Sequence, residues 1–305
     1  MARSKQLAGD AAATQQHYDQ SVEAERARLE QFCPVEYAIT LRYLERFIPD
    51  GCAVAEIGVG AGHYSEFLAR RGCRLHLVDV SERLLEAAEA RLSSAGLAGH
   101  IAGVHHASAT DLPLSDRSVD AALLLGPLYH LRELRERRKA VDEAWRILKP
   151  RGVVAAAGIN RITFLRDMFR SPDPFSAAFF AAEFAGAQRS AQLDPGFASF
   201  TARFLATGEL DPEHAPPIGV AHLTTIAEFR ELLTARFEEL ALTGTESFAA
   251  PWQDAWKSKS AAEIARWLEI IEATGKTVEG MAYSDHFLFI GRASGMGRIQ
   301  APQGR

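Results

Sequence analysis

The stretch VAEIGVGAGHYSEFLARRG, residues 54–72, decides the fold. It opens as a short apolar run, breaks at glycines 58, 60 and 62, and continues as an amphipathic helical pattern up to Gly72. Strand, glycine turn and helix in direct succession make a ligand-binding βα unit, because glycines allow a tight turn and let a ligand reach main-chain N–H groups without meeting a Cβ. The spacing is acidic-x-G-x-G-x-G, with Glu56 two residues before Gly58. A dinucleotide fingerprint needs G-x-G-x-x-G, and His63 stands where its third glycine belongs. That spacing speaks against a nicotinamide-dependent oxidoreductase.

Outward from this unit, apolar β-branched runs alternate with helical patterns, as in a parallel sheet built from βαβ units. Strands are expected at 52–58, 74–79, 101–108, 119–126 and 152–159. The helix between the second and third starts at a Ser81 N-cap, carries Leu84, Leu85, Ala88 and Leu92 on one face and stops at Gly96. Lys149 to Gly152 read as a helix stop and a turn into the fifth strand. Beyond residue 160 the alternation changes, and the two stretches 164–188 and 197–210 hold nine of the seventeen phenylalanines in helical patterns. We read them as an inserted helical cap. The Pro-rich stretch Asp211 to Gly219 is a loop. Thr225 with Glu228 and Ser260 with Glu263 form capping boxes, and further strands are expected at 240–248 and 285–293.

The expected fold is therefore α/β: a Rossmann-like open sheet of about seven strands, mostly parallel with the last antiparallel, helices on both faces and an inserted helical cap. Its parts are an N-terminal helical segment or lid over 1–49, a ligand-binding core over 50–160, the cap and following helix over 161–236, C-terminal core strands with a helical insertion over 237–293, and a loose tail over 294–305.

Composition narrows the function. At 305 residues, 47% hydrophobic and 24% charged, the chain can bury a large core. No apolar run reaches the ~20 residues a bilayer requires, and the N-terminus lacks the apolar core of a secretory signal. A cytoplasmic protein with no membrane partner is expected. Cys33, Cys52 and Cys73 show no C-x-x-C spacing, so buried reduced thiols are expected, and no metal. A net charge of −5 offers no general reason to bind nucleic acid, and the basic run Arg132 to Ala140 is interleaved with Glu133 and Glu136 as on a solvated helix face. The oligomeric state is not legible.

The acidic-x-G-x-G-x-G turn resembles motif I of class I S-adenosylmethionine-dependent methyltransferases. Asp79 closes the second strand, 21 positions after Gly58, where a carboxylate accepts from both ribose hydroxyls. The stretch 107–131 is similar to the part of that family where an Asp after the third strand reads adenine and the fourth strand ends beside the sulfonium. The resemblance implies S-adenosyl-L-methionine as cofactor, with Gly58, Gly60 and Gly62 forming its turn. It places Asp111 on adenine with Ala109 and Thr110 alongside, Val80 against the ring, Gly126 on the methionine moiety and Glu56 orienting the amino end. It covers 50–160 well and the rest mainly in strand order. TLRYLERF at 40–47 and GPLYHL at 126–131 are similar to a large set of bacterial small-molecule methyltransferases, mostly without assigned acceptors.

In such an enzyme the acceptor sits past the C-terminal end of the fourth strand, where Tyr129 and His130 stand as the candidate catalytic residues. His130 has two readings: a base or acceptor-orienting group, since imidazole titrates near working pH, or a helix-start histidine bonded to backbone. Tyr129 reads as an aromatic wall. Tyr18, in the N-terminal segment, and His222, read as a loop histidine just before the Thr225 cap, are further substrate-site candidates. His63 and Tyr64 belong to the pocket edge or to the surface. His105 and His106, adjacent in a strand, face opposite ways and cannot chelate one metal. The Asn/Asp-Pro-Pro-aromatic signature of nucleic-acid and protein amide N-methylation is absent after the fourth strand, and no Pro-Cys nucleophile follows. The expected partner is a small, partly apolar or aromatic metabolite, methylated on oxygen or nitrogen more than carbon. A protein that keeps S-adenosylmethionine while catalysing something else remains an alternative.

Overall fold

The computed structural model describes residues 7, 9–170, 195–210 and 218–294. Much of the Phe-rich stretch, most of the Pro-rich loop and all but the first residue of the tail lie outside the described residues. Seven strands form one sheet: β1 (Ala53–Ile57), β2 (Arg74–Asp79), β3 (Ile101–His106), β4 (Val119–Leu124), β5 (Leu148–Ile159), β8 (Phe237–Gly244) and β9 (His286–Ala293), in the order β3-β2-β1-β4-β5-β9-β8. The first five pair in parallel, and β9 runs antiparallel to both β5 and β8. From β1 the chain winds outward through β2 and β3, then crosses back to β4. The crevice between β1 and β4 is thus a topological switch point, where open α/β sheets bind ligands.

The sheet is buried on both faces, which is why its strands read as continuous apolar runs. Ala55, Ile57, Ala122 and Leu124 enter one core cluster, while Val54, Ala121 and Leu123 enter another with Ile39, Tyr43 and Leu44 of α3 (Pro34–Phe47). Helix α4 (His63–Arg70) follows the glycine turn, and α5 (Glu82–Ser94) starts where the Leu84 N–H donates to Ser81 Oγ at 3.1 Å. Both expected capping boxes form, at Thr225 with Glu228 and at Ser260 with Glu263.

Three local expectations are corrected. Helix α6 (Leu134–Ile147) passes straight into β5, so Lys149 to Gly152 are strand and not turn. Pro150 drives the preceding residue into extended backbone, and the surplus length is absorbed in a bulge with Arg151 at φ 67°. β8 ends at Gly244, four residues before the expected end, where a Cβ on that glycine would lie 2.6 Å from Ser284 Cβ. His222 is not a loop residue: β7 (Ala221–His222) pairs antiparallel with β6 (Glu209–Leu210) as a separate two-stranded sheet.

In the described part of the cap, α7 (Arg161–Arg170) and the helix Pro195–Thr207 bring Phe164, Phe200 and Phe204 together, with Phe164 and Phe204 centroids 4.9 Å apart. These three rings, with Tyr129, Leu210 and Leu223, form a small core of their own. At the other end of the chain, α1 (Asp10–Gln20), α2 (Val22–Ala27) and a π-helical turn (Arg28–Phe32) lead into α3. α1 is tied down twice: Asp10 accepts from the Arg132 N–H and guanidinium at 2.8–3.0 Å, and Asp19 accepts from Ser81 Oγ at 2.6 Å.

Candidate active site

β1 ends at Ile57, and the turn that follows takes left-handed backbone at Gly58, Gly60 and Gly62, with φ of 78°, 54° and 79°. Gly62 has a second constraint: a Cβ there would sit 2.9 Å from Ala88 Cα, so its bareness sets how closely α4 approaches α5. The Gly58 N–H donates to Val78 O at 2.8 Å, which fastens the turn to the end of β2. Asp79 then curls over the turn, its carboxylate accepting from the Gly60 N–H at 3.1 Å and the Ser81 N–H at 2.9 Å.

Two buried carboxylates give the turn its electrostatics. Burial pushes Asp79 up to about 6, against the backbone donors that pull it down. Glu56 goes further, to about 8, because desolvation outweighs its hydrogen bond from Ser65 Oγ. At neutral pH Asp79 is largely ionised and Glu56 largely protonated, so each gains from a ligand that donates hydrogen bonds or brings positive charge.

A cleft of about 680 Å³, counting the open solvent at its mouth, spreads from this turn. Gly58, Gly60, Asp79 and Val80 line one end, and Ala109 and Gly126 line it further along. Glu56, Gly62 and Thr110 stand behind its wall, and Asp111 is exposed beyond it. The other end is built by Pro127, Tyr129, His130 and Leu131, after β4, and by Ala11, Thr14 and Tyr18 on one face of α1. Tyr129 and His130 belong to a short 3₁₀ turn, Pro127–His130, that begins as soon as Gly126 releases the chain.

Both readings of His130 meet in its contacts. Nδ1 lies 3.0 Å from Val220 O, the backbone bond of the structural reading, while Nε2 lies 2.9 Å from Tyr18 Oη inside the cavity. Burial pushes the imidazole down to about 4, so it is neutral at pH 7. Tyr129 donates its hydroxyl to Leu125 O at 3.3 Å and presents ring to the cavity, as a wall does. His222 is buried but lies outside the cavity lining. His63 and Tyr64 are likewise buried and outside it; the His63 Nε2–H donates to Arg26 O at 3.1 Å. His105 pairs with His76 at 3.2 Å, while His106 bonds Val80 O at 2.8 Å, so the two adjacent histidines do point apart.

Sequence reasoning missed the contribution of the N-terminal segment beyond Tyr18. Glu25 and Arg28 line the cavity as an ion pair at 3.2 Å, with Glu25 Oε1 packed 3.1 Å from where a Gly60 Cβ would be, and Arg28 reaches back to Glu36 at 3.3 Å. In the sequence they read as part of an amphipathic run. The signal for Ala11, Thr14 and Tyr18 is their three- and four-residue helical spacing, but nothing local says which face is turned inward. Among the described residues, Glu36, Glu246 and His286 bring possible metal-ligand atoms within 4.8 Å of one another. The neighbouring carboxylates raise His286 to about 9, so at neutral pH its Nδ1 carries a proton shared with Glu246 at 2.6 Å, not a lone pair.

Residues 55–156 match the family described as "Methyltransferase domain". Over this stretch the chain is similar to the class I S-adenosylmethionine-dependent methyltransferases, a family whose cofactor is S-adenosyl-L-methionine. A demethylmenaquinone methyltransferase of Clavibacter sepedonicus is 36% identical over 102 residues, which cover 33% of this chain and 39% of that one. The match thus spans well under half of the curated relative's length. Among solved structures, the [4+2]-cyclase SpnF aligns over 94% of this chain and 97% of its own with a TM-score of 0.57 at 18% identity. The N-methyltransferase NodS from Bradyrhizobium japonicum WM9, in complex with S-adenosyl-L-homocysteine, aligns over 91% and 98% with a TM-score of 0.51 at 17% identity. At these identities the structures share the fold. The donor set of this site fits the family's cofactor: bare glycine backbone, a buried carboxylate at the end of β2, and the apolar walls Val80 and Ala109. No described helix is long and apolar enough to cross a membrane.

Proposed function

We propose that the protein transfers a methyl group from S-adenosyl-L-methionine to a small, partly apolar or aromatic acceptor, at oxygen or nitrogen. The observation that carries this reading is the continuity of the cavity. One space runs from Asp79 and the glycine turn to a wall of Tyr18, Tyr129, His130 and Leu131, so cofactor and acceptor would share it without intervening protein.

In this reading Gly58, Gly60 and Gly126 supply the backbone cradle with Gly62 shaping the turn from behind, Asp79 takes the ribose hydroxyls, and Val80 and Ala109 form the adenine end, with Thr110 and Asp111 beside it rather than lining it. Glu56 orients the amino end from behind the turn. When bound, the cofactor supplies an electrophilic methyl on a sulfonium. The chain's own task is to hold the acceptor lone pair in line and exclude water, a placement worth ~7–11 kcal/mol. Helix α1, tied at Asp10 and Asp19, forms a lid that serves the second task. Cytoplasmic action on a soluble metabolite is in keeping with this site.

The test has two arms. S-adenosyl-L-homocysteine should bind by calorimetry, and Asp79→Asn should weaken it tenfold or more, because a charge-assisted hydrogen bond is worth about 1.5–3 kcal/mol. A metabolite library with isotopically labelled cofactor should then yield a labelled product. Binding without any labelled product would move the reading to a protein that holds the cofactor for another reaction.

A further inference from the structure

The direction of the hydrogen bonds at the acceptor end of the cavity follows from elementary chemistry. Val220 O is a carbonyl and can only accept, so the His130 Nδ1 atom, 3.0 Å away, carries the proton. The imidazole is neutral, so Nε2 is bare and accepts the phenolic proton of Tyr18 at 2.9 Å. Tyr18 therefore faces the cavity as a hydrogen-bond acceptor whose own proton is already committed to a base. The charged and titratable neighbours of this imidazole are Asp10 and His17 of α1, Arg28 of the π turn, and Tyr129. The guanidinium and His17 both disfavour a second positive charge there, and Asp10 favours it.

One turn before Tyr18, Thr14 lines the same cavity. It is 7% exposed, and its Oγ1 has no hydrogen-bond partner among the described residues. A buried, unsatisfied hydroxyl costs about 1–3 kcal/mol, and the residue that carries it lines space that a ligand can fill. Thr14 and Tyr18 are four residues apart, so they share one helix face.

We propose, resting on the methyl-transfer reading above, that the acceptor is a weakly acidic hydroxyl compound, a phenol or enol. Its O–H donates to Tyr18 Oη, and Thr14 Oγ1 holds a second polar group of the same molecule. Tyr18 is the catalytic residue, touching the acceptor, and His130 acts through it. The acceptor oxygen forms its bond to the methyl carbon as the carbon–sulfur bond breaks, the electron pair of that bond staying on sulfur. The hydroxyl proton passes to Tyr18 Oη while the Tyr18 proton passes to His130 Nε2. Positive charge leaves the sulfonium as it arrives on the imidazole, so the cavity holds the same net charge before and after. A phenol or enol suits this relay because burial pushes the Tyr18 hydroxyl well above the ordinary phenol range, so the more acidic acceptor gives its proton to the Tyr18 oxygen downhill. An amine is too weakly acidic to pass a proton to Tyr18 before the methyl arrives, so the relay does not activate it and it should be the slower acceptor here.

Nitrogen-15 NMR of histidine-labelled protein with S-adenosyl-L-homocysteine should show His130, assigned by its loss in His130→Gln, as the neutral Nδ1-protonated tautomer at pH 7. In Tyr18→Phe its Nε2 resonance should shift as the hydrogen bond is lost. An Nε2-protonated ring or an imidazolium overturns the proposal. With labelled cofactor, 2-naphthol and 2-naphthylamine serve as paired probes. Methylation of 2-naphthol should be nearly pH-independent from 6 to 8 in the wild type. Tyr18→Phe should lower its kcat about 100-fold, leave KM within threefold, and make the rate rise about tenfold per pH unit as free naphtholate takes over. Tyr18→Phe transferring at the wild-type rate, naphthylamine methylated as fast as naphthol, or transfer to neither probe overturns the proposal. Failure of the wild type to bind S-adenosyl-L-homocysteine is a different result, since it removes the methyl-transfer reading and this proposal with it.

Discussion

Replacing Gly62 by alanine tests the reasoning that places the glycine turn under both a backbone and a packing constraint. Gly62 and Gly96 have nearly the same left-handed backbone, φ 79° and 73°. Holding an L-residue there costs about 1–2 kcal/mol, and a less flexible unfolded chain returns up to about 1 kcal/mol. At Gly96 a new Cβ meets no described atom within 4 Å, so Gly96→Ala should cost about 1 kcal/mol. At Gly62 the Cβ would lie 2.9 Å from Ala88 Cα and 3.0 Å from Ala88 Cβ, both on a rigid helix. Pushing α4 away from α5 adds about 1–3 kcal/mol of overpacking, for a total of about 2–4 kcal/mol. Thermal unfolding by scanning calorimetry, at about 2 °C per kcal/mol for a chain this long, should place Gly62→Ala several degrees below Gly96→Ala. Equal melting temperatures would refute the claim that Gly62 spaces the two helices.

Other outcomes follow from the buried ionisable groups and contacts. His286 is raised to about 9 by Glu36 and Glu246; its folded value lies above the unfolded one, so its stabilisation is complete below ~6.5 and fades as pH climbs through 9. Urea midpoints should therefore fall across that window, and His286→Gln should abolish its share of the fall. Asp79 sits near 6 before ligand binds, and a ligand that donates to its carboxylate prefers the ionised form. Calorimetric affinity for S-adenosyl-L-homocysteine should drop as pH falls from 7 to 5, and a flat profile would remove the ribose role. A Cβ on Gly208 would overlap Leu223 O, a backbone atom that also accepts from Arg161, so Gly208→Ala should fail to fold or lose more than about 3 kcal/mol. Asp10→Ala removes the acceptor of three Arg132 hydrogen bonds. Amide exchange over residues 10–20 should speed up while β1 and β4 are unchanged.

Some of this molecule was legible because the signals are local. The glycine turn, the Ser81 cap, the two capping boxes and the acidic end of β2 are each written within a few residues, and all appear where expected. The phenylalanines of the cap were legible as apolar, but their pattern could not say whether they face a ligand; Phe164, Phe200 and Phe204 turn to one another instead. His222 was misplaced because its two-residue strand exists only through pairing with Glu209–Leu210, and so short a strand carries no sequence signal of its own.

By itself the sequence determined the mostly parallel sheet and the glycine turn after its first strand, since strand, glycine turn and helix are adjacent along the chain and apolar runs alternate with helical patterns. Only the tertiary structure decided what His130 does. Its two partners, Tyr18 and Val220, lie 112 and 90 residues away along the chain, on a helix and a strand that meet only after the sheet has formed. No local pattern encodes which ring nitrogen keeps its proton, because that depends on which carbonyl and which hydroxyl folding brings to either side of the ring.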